Sequence, residues 1–474
     1  MSKLVGDEML NLNNFLDLKE NSKLLDIFFQ IKKAVGISYL VGGSVRDLIL
    51  GGKGKDIDIE VHKLSLDVLQ KILEKFGKVK LVGKQFGVFR VESFDIDWSI
   101  PRIDSKGRKP KVELFPDMTI KEACQRRDLT INAMAINLDF LLDKNFSGEV
   151  KILDPYYGLK DLKNKVLCAV DEKLFLDDPL RFYRVMQFIG RFEMNPDEKL
   201  SKICISMDLG GVARERIFDE IEKLFLKSKR PSLGIRWLKN IKRLKEVMPQ
   251  VYDLIGIKQR SNYHPEGDVF EHTMQSLDAA AILDKYESEH EKLMIMFAVL
   301  CHDFGKVEKK TEDLRFIGHE KAGVKIAKKF MKRLTNNSLL TKSVEKLVCY
   351  HTSPVDFLDQ GSKIKAFKRL ASKLAPEVTL RQLALVSLCD VSGRNSKRDD
   401  PLDAGEQKFN LFMNKVYELS LDKGPEKPVL LGRHLVGIIP EGPKMGEILK
   451  KAYHIQIDEG IVNVEELKKR VLKP

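Results

Sequence analysis

The sequence predicts an α+β chain, in which a mixed α/β head is followed by a long α-helical body. Three observations lead there. Between Ile37 and about Ile136, short β-prone runs separated by Gly and Lys surround one helical segment. From Leu174 onward, apolar residues recur at helical spacing and continue to do so. The length of 474 residues, 43% of them hydrophobic, supplies material for about three cores at roughly 150 residues each.

Taken in order, the stretch to about Val35 carries Leu24, Leu25, Ile27, Phe28 and Ile31, a spacing that suits one or two helices. Strands are expected at Ser38–Val41, Ile57–Val61, Val79–Val82, Val88–Val91 and Asp95–Ile100, with a helix at Leu64–Phe76. Leu180, Tyr183, Val185 and Phe188, then Ile217, Ile221, Leu224 and Phe225, keep the helical period. A Pro/Gly stretch at Asn262–Gly267 opens a second helical region reaching about Gly393. A charged linker (Arg394–Gly405) and a Gly/Pro cluster (Lys423–Lys427) precede a short C-terminal domain.

The formal net charge of +13 favours an anionic partner such as nucleic acid or a membrane surface. The longest apolar run, Leu293 to Cys301, falls well short of the ~20 residues that span a bilayer. The N-terminus has no basic-then-apolar signal pattern. The cysteines are scattered singly with no CxxC, which indicates neither a disulfide framework nor a structural zinc site. A cytoplasmic protein without membrane partners is expected.

Tyr39 to Asp47 (YLVGGSVRD) runs from a strand through a double glycine into a helix. Glycines let a phosphate approach the backbone, and a helix start presents free N–H groups. Glycine pairs at such turns are also common for purely structural reasons. Asp56-Ile57-Asp58 changes the balance, because residues i and i+2 of a strand share a face and both carboxylates can converge on hard divalent cations. Such ions activate an attacking hydroxyl and stabilise leaving pyrophosphate. Asp97 is either a third carboxylate beside them or an exposed strand residue.

GGSVRD, KDIDIEV and then Arg126 to Ala133 (RRDLTINA) resemble the class II tRNA nucleotidyltransferases, the bacterial CCA-adding enzymes and their poly(A) polymerase relatives. Asp154-Pro155 to Gly158, Asp177-Asp178-Pro179-Leu180-Arg181 and Glu215-Arg216 continue the resemblance in order, over about residues 37 to 250. It implies a polymerase beta-like head in which Asp56 and Asp58 hold Mg²⁺ and act as the catalytic carboxylates. Gly42, Gly43 and Arg46 would cradle the triphosphate, while Arg127, Asp128 and Asn132 would hold ribose and phosphates. Asp178 and Arg181 would contact the base edge, with Arg184 one helical turn further on. A carboxylate accepts from an exocyclic amine and a guanidinium donates to a ring nitrogen or carbonyl, so one such pair can accept both C and A. Asp177 stands where the family more often has Glu. The basic linker from Pro101 to Lys109 is similar to the family's flexible loop, which goes with completing the terminal adenosine; Arg102, Arg108 and Lys109 would contact RNA.

His272, His302-Asp303, His319, His351 and Asp390 form a second constellation. Imidazoles and carboxylates together suit a divalent metal that generates hydroxide, although a single histidine is commonly structural. The order H…HD…H…H…D resembles the HD phosphohydrolase superfamily. The flanking text (YHPEGD…EHT, GHE…G, CD…GR) resembles the HD domain fused to many bacterial CCA-adding enzymes. That implies a site for Mg, Mn, Ni or Co acting on phosphates, including 2′,3′-cyclic ends, unless the domain is an inactive scaffold. His264, in a Pro/Gly loop, reads as local structure.

Lys321, Lys325, Lys328, Lys329 and Lys332 line one helix face, as a phosphate-binding stripe or as a solvated surface. The segment from Pro428 to Met445 resembles the tail of HD-bearing family members, with His434 where Asp is expected. The resulting division is 1–36 helical extension, 37–165 head, 166–258 neck and body, 259–400 HD domain and 401–474 tail. The expected function is untemplated addition of C, C and A to tRNA from CTP and ATP, with a second phosphohydrolase activity. A poly(A) polymerase, or an enzyme adding only CC or only A, is the alternative.

Overall fold

The computed structural model describes residues 9–11, 21–52, 57–82, 87–92, 94–104, 112–143, 146, 149–309, 311–395 and 403–472. Asp56, Arg108 and Lys109 lie outside the described residues. The chain divides into two compact units, 1–217 and 218–474.

The first unit is built on a mixed sheet. Its strands are β1 (Met9–Asn11), β2 (Ile37–Val41), β3 (Ile57–His62), β4 (Val79–Val82), β5 (Val88–Val91), β6 (Ile96–Ser99), β9 (Ala135–Asn137) and β10 (Glu149–Leu153), in the order β1-β10-β9-β2-β3-β6-β5-β4. Two further strands, β7 (Arg102–Asp104) and β8 (Val112–Leu114), pair with each other. Only β3 and β6 run parallel within the large sheet, and in their register Asp58 faces Asp97 and Ile59 faces Trp98. Leu40, Ile59, Val61, Val91 and Trp98 fill the interior.

The helix Ser22–Lys33 starts at Asn21, whose side chain accepts the Leu24 N–H, and buries Leu24, Ile27, Phe28 and Ile31. Phe28 meets Trp98 with ring centroids 5.7 Å apart. Residues 1–36, expected as a helical extension, therefore contribute β1 as well as this helix. The three-residue β1 is held by backbone pairing with β10, which leaves no periodicity to read. Within the basic linker, Arg102 sits in β7, paired opposite Leu114, rather than in a loop, while residues 105–109 lie outside the described residues.

The second unit is helical. The helix Glu289–Cys301 opens on a polar first turn and is then apolar on every side, with Leu293 to Cys301 all buried. A helix hydrophobic all round belongs to a core when it is this short. Among the described residues no helix is long and apolar enough to cross a membrane. The helices Val269–Ile282, His319–Leu334, Ser338–Tyr350 and Leu380–Ser392 complete the bundle. The lysine stripe lies exposed on His319–Leu334, and its Lys328 pairs with Glu345 at 3.2 Å.

The C-terminal segment has a small core of its own, formed by Leu430, Leu435, Met445, Ala452, Leu467 and Val471. His434 accepts the Leu431 N–H on Nδ1 at 3.1 Å, a capping task that an aspartate at this position would also perform.

Candidate nucleotidyl-transfer and metal sites

The head site begins at the turn between β2 and the helix Gly43–Ile49. Gly42 has φ +71°, and a Cβ there would stand 2.5 Å from Arg127 Nη1. The glycine thus makes room for a guanidinium against the backbone. Gly43 similarly faces Arg46, whose Nε and Nη2 reach Asp47 Oδ1 at 2.8 and 2.7 Å and whose Nη1 donates to Asn132. Asn132 donates to Asp128 Oδ1 at 3.0 Å, and Arg184 Nε donates to Asp128 Oδ2 at 2.5 Å. Burial alone would raise the Asp128 carboxyl. The Arg184 charge and the Asn132 hydrogen bond outweigh it and hold the group well below the usual carboxylate range. Arg46, Asp128, Asn132 and Arg184 are therefore one connected network.

Asp58, the second residue of β3, is exposed, and its N–H donates to Ser44 Oγ at 3.0 Å. Its parallel partner Asp97 is held by Arg90 Nη2 at 2.7 Å. Two residues beyond Asp58, Glu60 is fully buried, with Arg126 Nη2 2.9 Å from Oε2 and His62 Nε2 3.1 Å from Oε1. Burial pushes Glu60 up, but the His62 hydrogen bond and the charges of Arg127 and Arg126 bring it down to about 2. Both Glu60 oxygens have partners; Asp58 is exposed with Asp97, ion-paired to Arg90, beside it in register, and carboxylate oxygens of this kind suit Mg²⁺.

Asp178 and Arg181 line a cleft of about 1480 Å³ together with Arg102, Arg126, Asp177 and Arg216. Asp178 Oδ1 accepts the Leu180 N–H at 3.0 Å, while Oδ2 accepts from Arg216 at 2.9 Å. Arg181 donates to the carbonyls of Leu174 and Arg126 at 2.8 and 2.7 Å. Arg184, expected to extend the pair, instead turns to Asp128. Sequence reasoning did not single out Glu60, His62 or Arg126. For the first two, the i+2 alternation from Asp58 along β3 was the available signal.

The second site gathers four histidines and two aspartates from five segments. His272 Nε2 lies 3.0 Å from Asp390 Oδ1 and 3.2 Å from His302 Nε2. His319 Nε2 lies 3.3 Å from His351 Nε2. Asp303 stands between the pairs: Oδ2 is 3.3 Å from His302 Nε2, and Oδ1 is 3.3 Å from His319 Nε2. The candidate ligand atoms of His272, His302 and Asp303 lie within 4.8 Å of one another, as do those of Asp303, His319 and His351. Three of the rings are fixed from behind by the carbonyl three residues earlier, with His302, His319 and His351 Nδ1 at 2.6, 2.8 and 2.8 Å from Val299, Phe316 and Val348 O. Such anchoring leaves Nε2 as the inward lone pair.

Around this cluster, Lys306 Nζ is 2.7 Å from Asp303 Oδ2, and Arg394 Nη2 lies 3.0 Å from each Asp390 oxygen. Burial would raise Asp303, but the His302 and Lys306 charges hold it well below the usual range. Burial and the neighbouring His302 and His319 push His351 down to about 3, which keeps a neutral imidazole available for coordination. Asp303 Oδ2 is buried without a well-directed hydrogen bond. Two Nε2 atoms face each Asp303 oxygen, those of His272 and His302 at Oδ2 and those of His319 and His351 at Oδ1, and this donor set fits a divalent metal. His264 is not merely local structure, because it shares Glu266 with His272.

Comparison with known proteins gives the family. The Poly A polymerase head domain family matches residues 38–168 and the HD domain family matches 269–391, both of them metal-dependent families. The multifunctional CCA protein of Mannheimia succiniciproducens is 31% identical over 434 residues, covering 89% of this chain and 98% of that protein. Its counterpart in Acinetobacter baumannii is 32% identical over 380 residues, covering 77% and 86%. In fold, the chain is similar to the Thermotoga maritima CCA-adding enzyme complexed with tRNA (TM-score 0.55, 22% identity, 99% of each chain). It is likewise similar to the Bacillus stearothermophilus CCA-adding enzyme in complex with CTP (TM-score 0.63, 18% identity, 95% and 98%). The chain belongs to the multifunctional CCA protein family of tRNA nucleotidyltransferases.

Proposed function

We propose that the head adds C, C and A to tRNA 3′ ends without a nucleic-acid template, using CTP and ATP. The observation that supports this most directly is the cleft in which Asp178 and Arg181 sit side by side, each fixed by partners within the same unit. A selector with its polar atoms pre-set reads the base edge of the incoming nucleotide. Asp178 accepts from the exocyclic amine shared by C and A, and Arg181 donates to the ring. Arg127, seated against Gly42, would present guanidinium N–H groups to the triphosphate, while Arg46, buried and held by Asp47 and Asn132, braces the glycine turn. Asp58 and Asp56 carry the catalytic carboxylates. Mg²⁺ bound there would ease ionisation of the RNA 3′-hydroxyl and neutralise the departing pyrophosphate. Arg102, Arg108 and Lys109 bind the RNA backbone.

The second unit carries a metal-dependent phosphohydrolase. This reading rests on the buried ring of His272, His302, Asp303, His319, His351 and Asp390, whose donors converge although no structural role requires four adjacent imidazoles. When bound, Mg, Mn, Ni or Co would supply a hydroxide for attack on a phosphoester. The chain's own part is to hold each ring by its Nδ1 and to keep Asp303 and Asp390 ionised with Lys306 and Arg394.

The test offers purified protein tRNA transcripts ending before CCA, after C and after CC, with Mg²⁺ and each nucleotide singly or together. Ordered growth that stops after A is expected. An A tail on any RNA would instead indicate a poly(A) polymerase, and arrest at CC would indicate a partial enzyme.

A further inference from the structure

The four histidines of the second site are not backed alike. His302, His319 and His351 each donate Nδ1–H to a neutral backbone carbonyl. His272 alone has its Nδ1 against a buried carboxylate, Glu266 Oε1, at 2.8 Å with both side chains at 0% exposure. The same oxygen is hydrogen-bonded to His264 Nδ1 at 2.9 Å, so its contact with His272 Nδ1 is a close charge contact without hydrogen-bond alignment, and Oε2 is buried without a partner. Glu320 comes within 3.2 Å of His319 Nδ1, but it is a quarter exposed and that N–H already serves Phe316 O at 2.8 Å. A carboxylate behind a ligating imidazole raises its basicity and fixes its orientation.

We infer that Glu266 is a positioning residue that makes the two halves of the metal centre unequal. The half formed by His272, His302, Asp303 and Asp390 takes the tighter ion, and the half formed by Asp303, His319 and His351 takes the weaker. The inference rests on the metal reading of this cluster proposed above. It adds that a residue touching no metal decides the order of filling. His272 gains electron density from Glu266, and Asp390 adds a further anionic donor on the same side at 3.0 Å. The other half has only the shared Asp303 carboxylate and two carbonyl-backed imidazoles.

The experiment titrates the metal-free full-length chain with Co²⁺ and follows visible absorption. The signal belonging to this centre is defined by its loss in the Asp303→Ala chain, since Asp303 is shared by both halves. Two steps are expected. Glu266→Gln, which keeps shape and an acceptor oxygen but removes the charge, should weaken the first step by roughly 10–100-fold and leave the second in place. His351→Ala should abolish the second step and keep the first, which shows separately that the protein is folded. Equal shifts of both steps in Glu266→Gln, or none, would overturn the assignment of Glu266 while leaving the metal centre standing. Absence of any imidazole-dependent Co²⁺ signal in the unaltered chain would overturn the metal reading itself, and this inference with it.

Discussion

Arg216 Nη2 donates to Asp178 Oδ2 at 2.9 Å, so a residue on the helix Arg214–Lys227 fixes the carboxylate at the mouth of the helix Leu180–Phe192. The other Asp178 oxygen is held by the Leu180 N–H, and the carboxylate has little freedom to rotate. Both side chains of the pair are partly exposed, which limits its contribution to about 1 kcal/mol. Arg216→Ala should therefore lower kcat/KM for CTP and ATP by roughly fivefold and raise misincorporation of UTP and GTP. Single-nucleotide extension of tRNA ending before CCA measures both.

Gly42 leaves no space for a side chain. Gly42→Ala places a methyl against Arg127 at a positive φ, and the guanidinium has to move. The expected result is a KM for nucleotides raised about tenfold or more, with circular dichroism unchanged. A variant with ordinary KM would show that Arg127 does not touch the triphosphate.

The two sites should fail separately. Asp58→Ala should reduce nucleotidyl transfer by about a thousandfold or more and leave hydrolysis of 2′,3′-cyclic AMP intact. Asp303→Ala should do the reverse and should also lose both steps of Co²⁺ uptake, because one of its oxygens faces each histidine pair. Parallel assays on the two variants check this, and a shared loss would contradict two independent centres.

Glu60 sets an acid limit for the head. Its folded pKa of about 2 lies below the usual 4.5, so its stabilisation is present above pH ~4.5 and disappears as pH falls toward 2. The difference corresponds to about 3 kcal/mol. Glu60→Gln should lower the stability of the head at pH 7 by that order, and the deficit should shrink below pH ~4. Trp98 is buried in the head and Trp237 belongs to the second unit. Urea unfolding followed by fluorescence in a Trp237→Phe background therefore reports the head alone.

Much of this was legible in the sequence. β2, β3, β4, β5 and β6 fall where short apolar runs placed them, and in β5 and β6 the residues alternate against a buried face. The six residues of the second site could be named because their order along the chain resembles that of the HD phosphohydrolase superfamily; histidine clustering by itself was only suggestive. What escaped was whatever depends on contacts distant in sequence. Arg184 turns to Asp128, 56 residues away, and Arg126 reaches Glu60 across 66. Glu266 and Arg394 lay inside quoted segments, yet their attachment to His272 and Asp390 is made only by folding. Arg102 looked like loop because a three-residue strand has too short a pattern to register.

The pairing of β3 with β6 also protects the chemistry from error. Asp58 and Glu60 share one face of β3, and Ile59 and Val61 share the other, both fully buried. A slip of the strand by a single residue would turn Asp58 into the aliphatic interior, bring an aliphatic side chain to its exposed position and take Glu60 away from Arg126 and His62. Burying an unpaired carboxylate in this way would cost several kcal/mol, and exposing an aliphatic side chain would add to it. Ile59 and Val61, which touch no substrate, thus act as the gauge that holds Asp58 at its post.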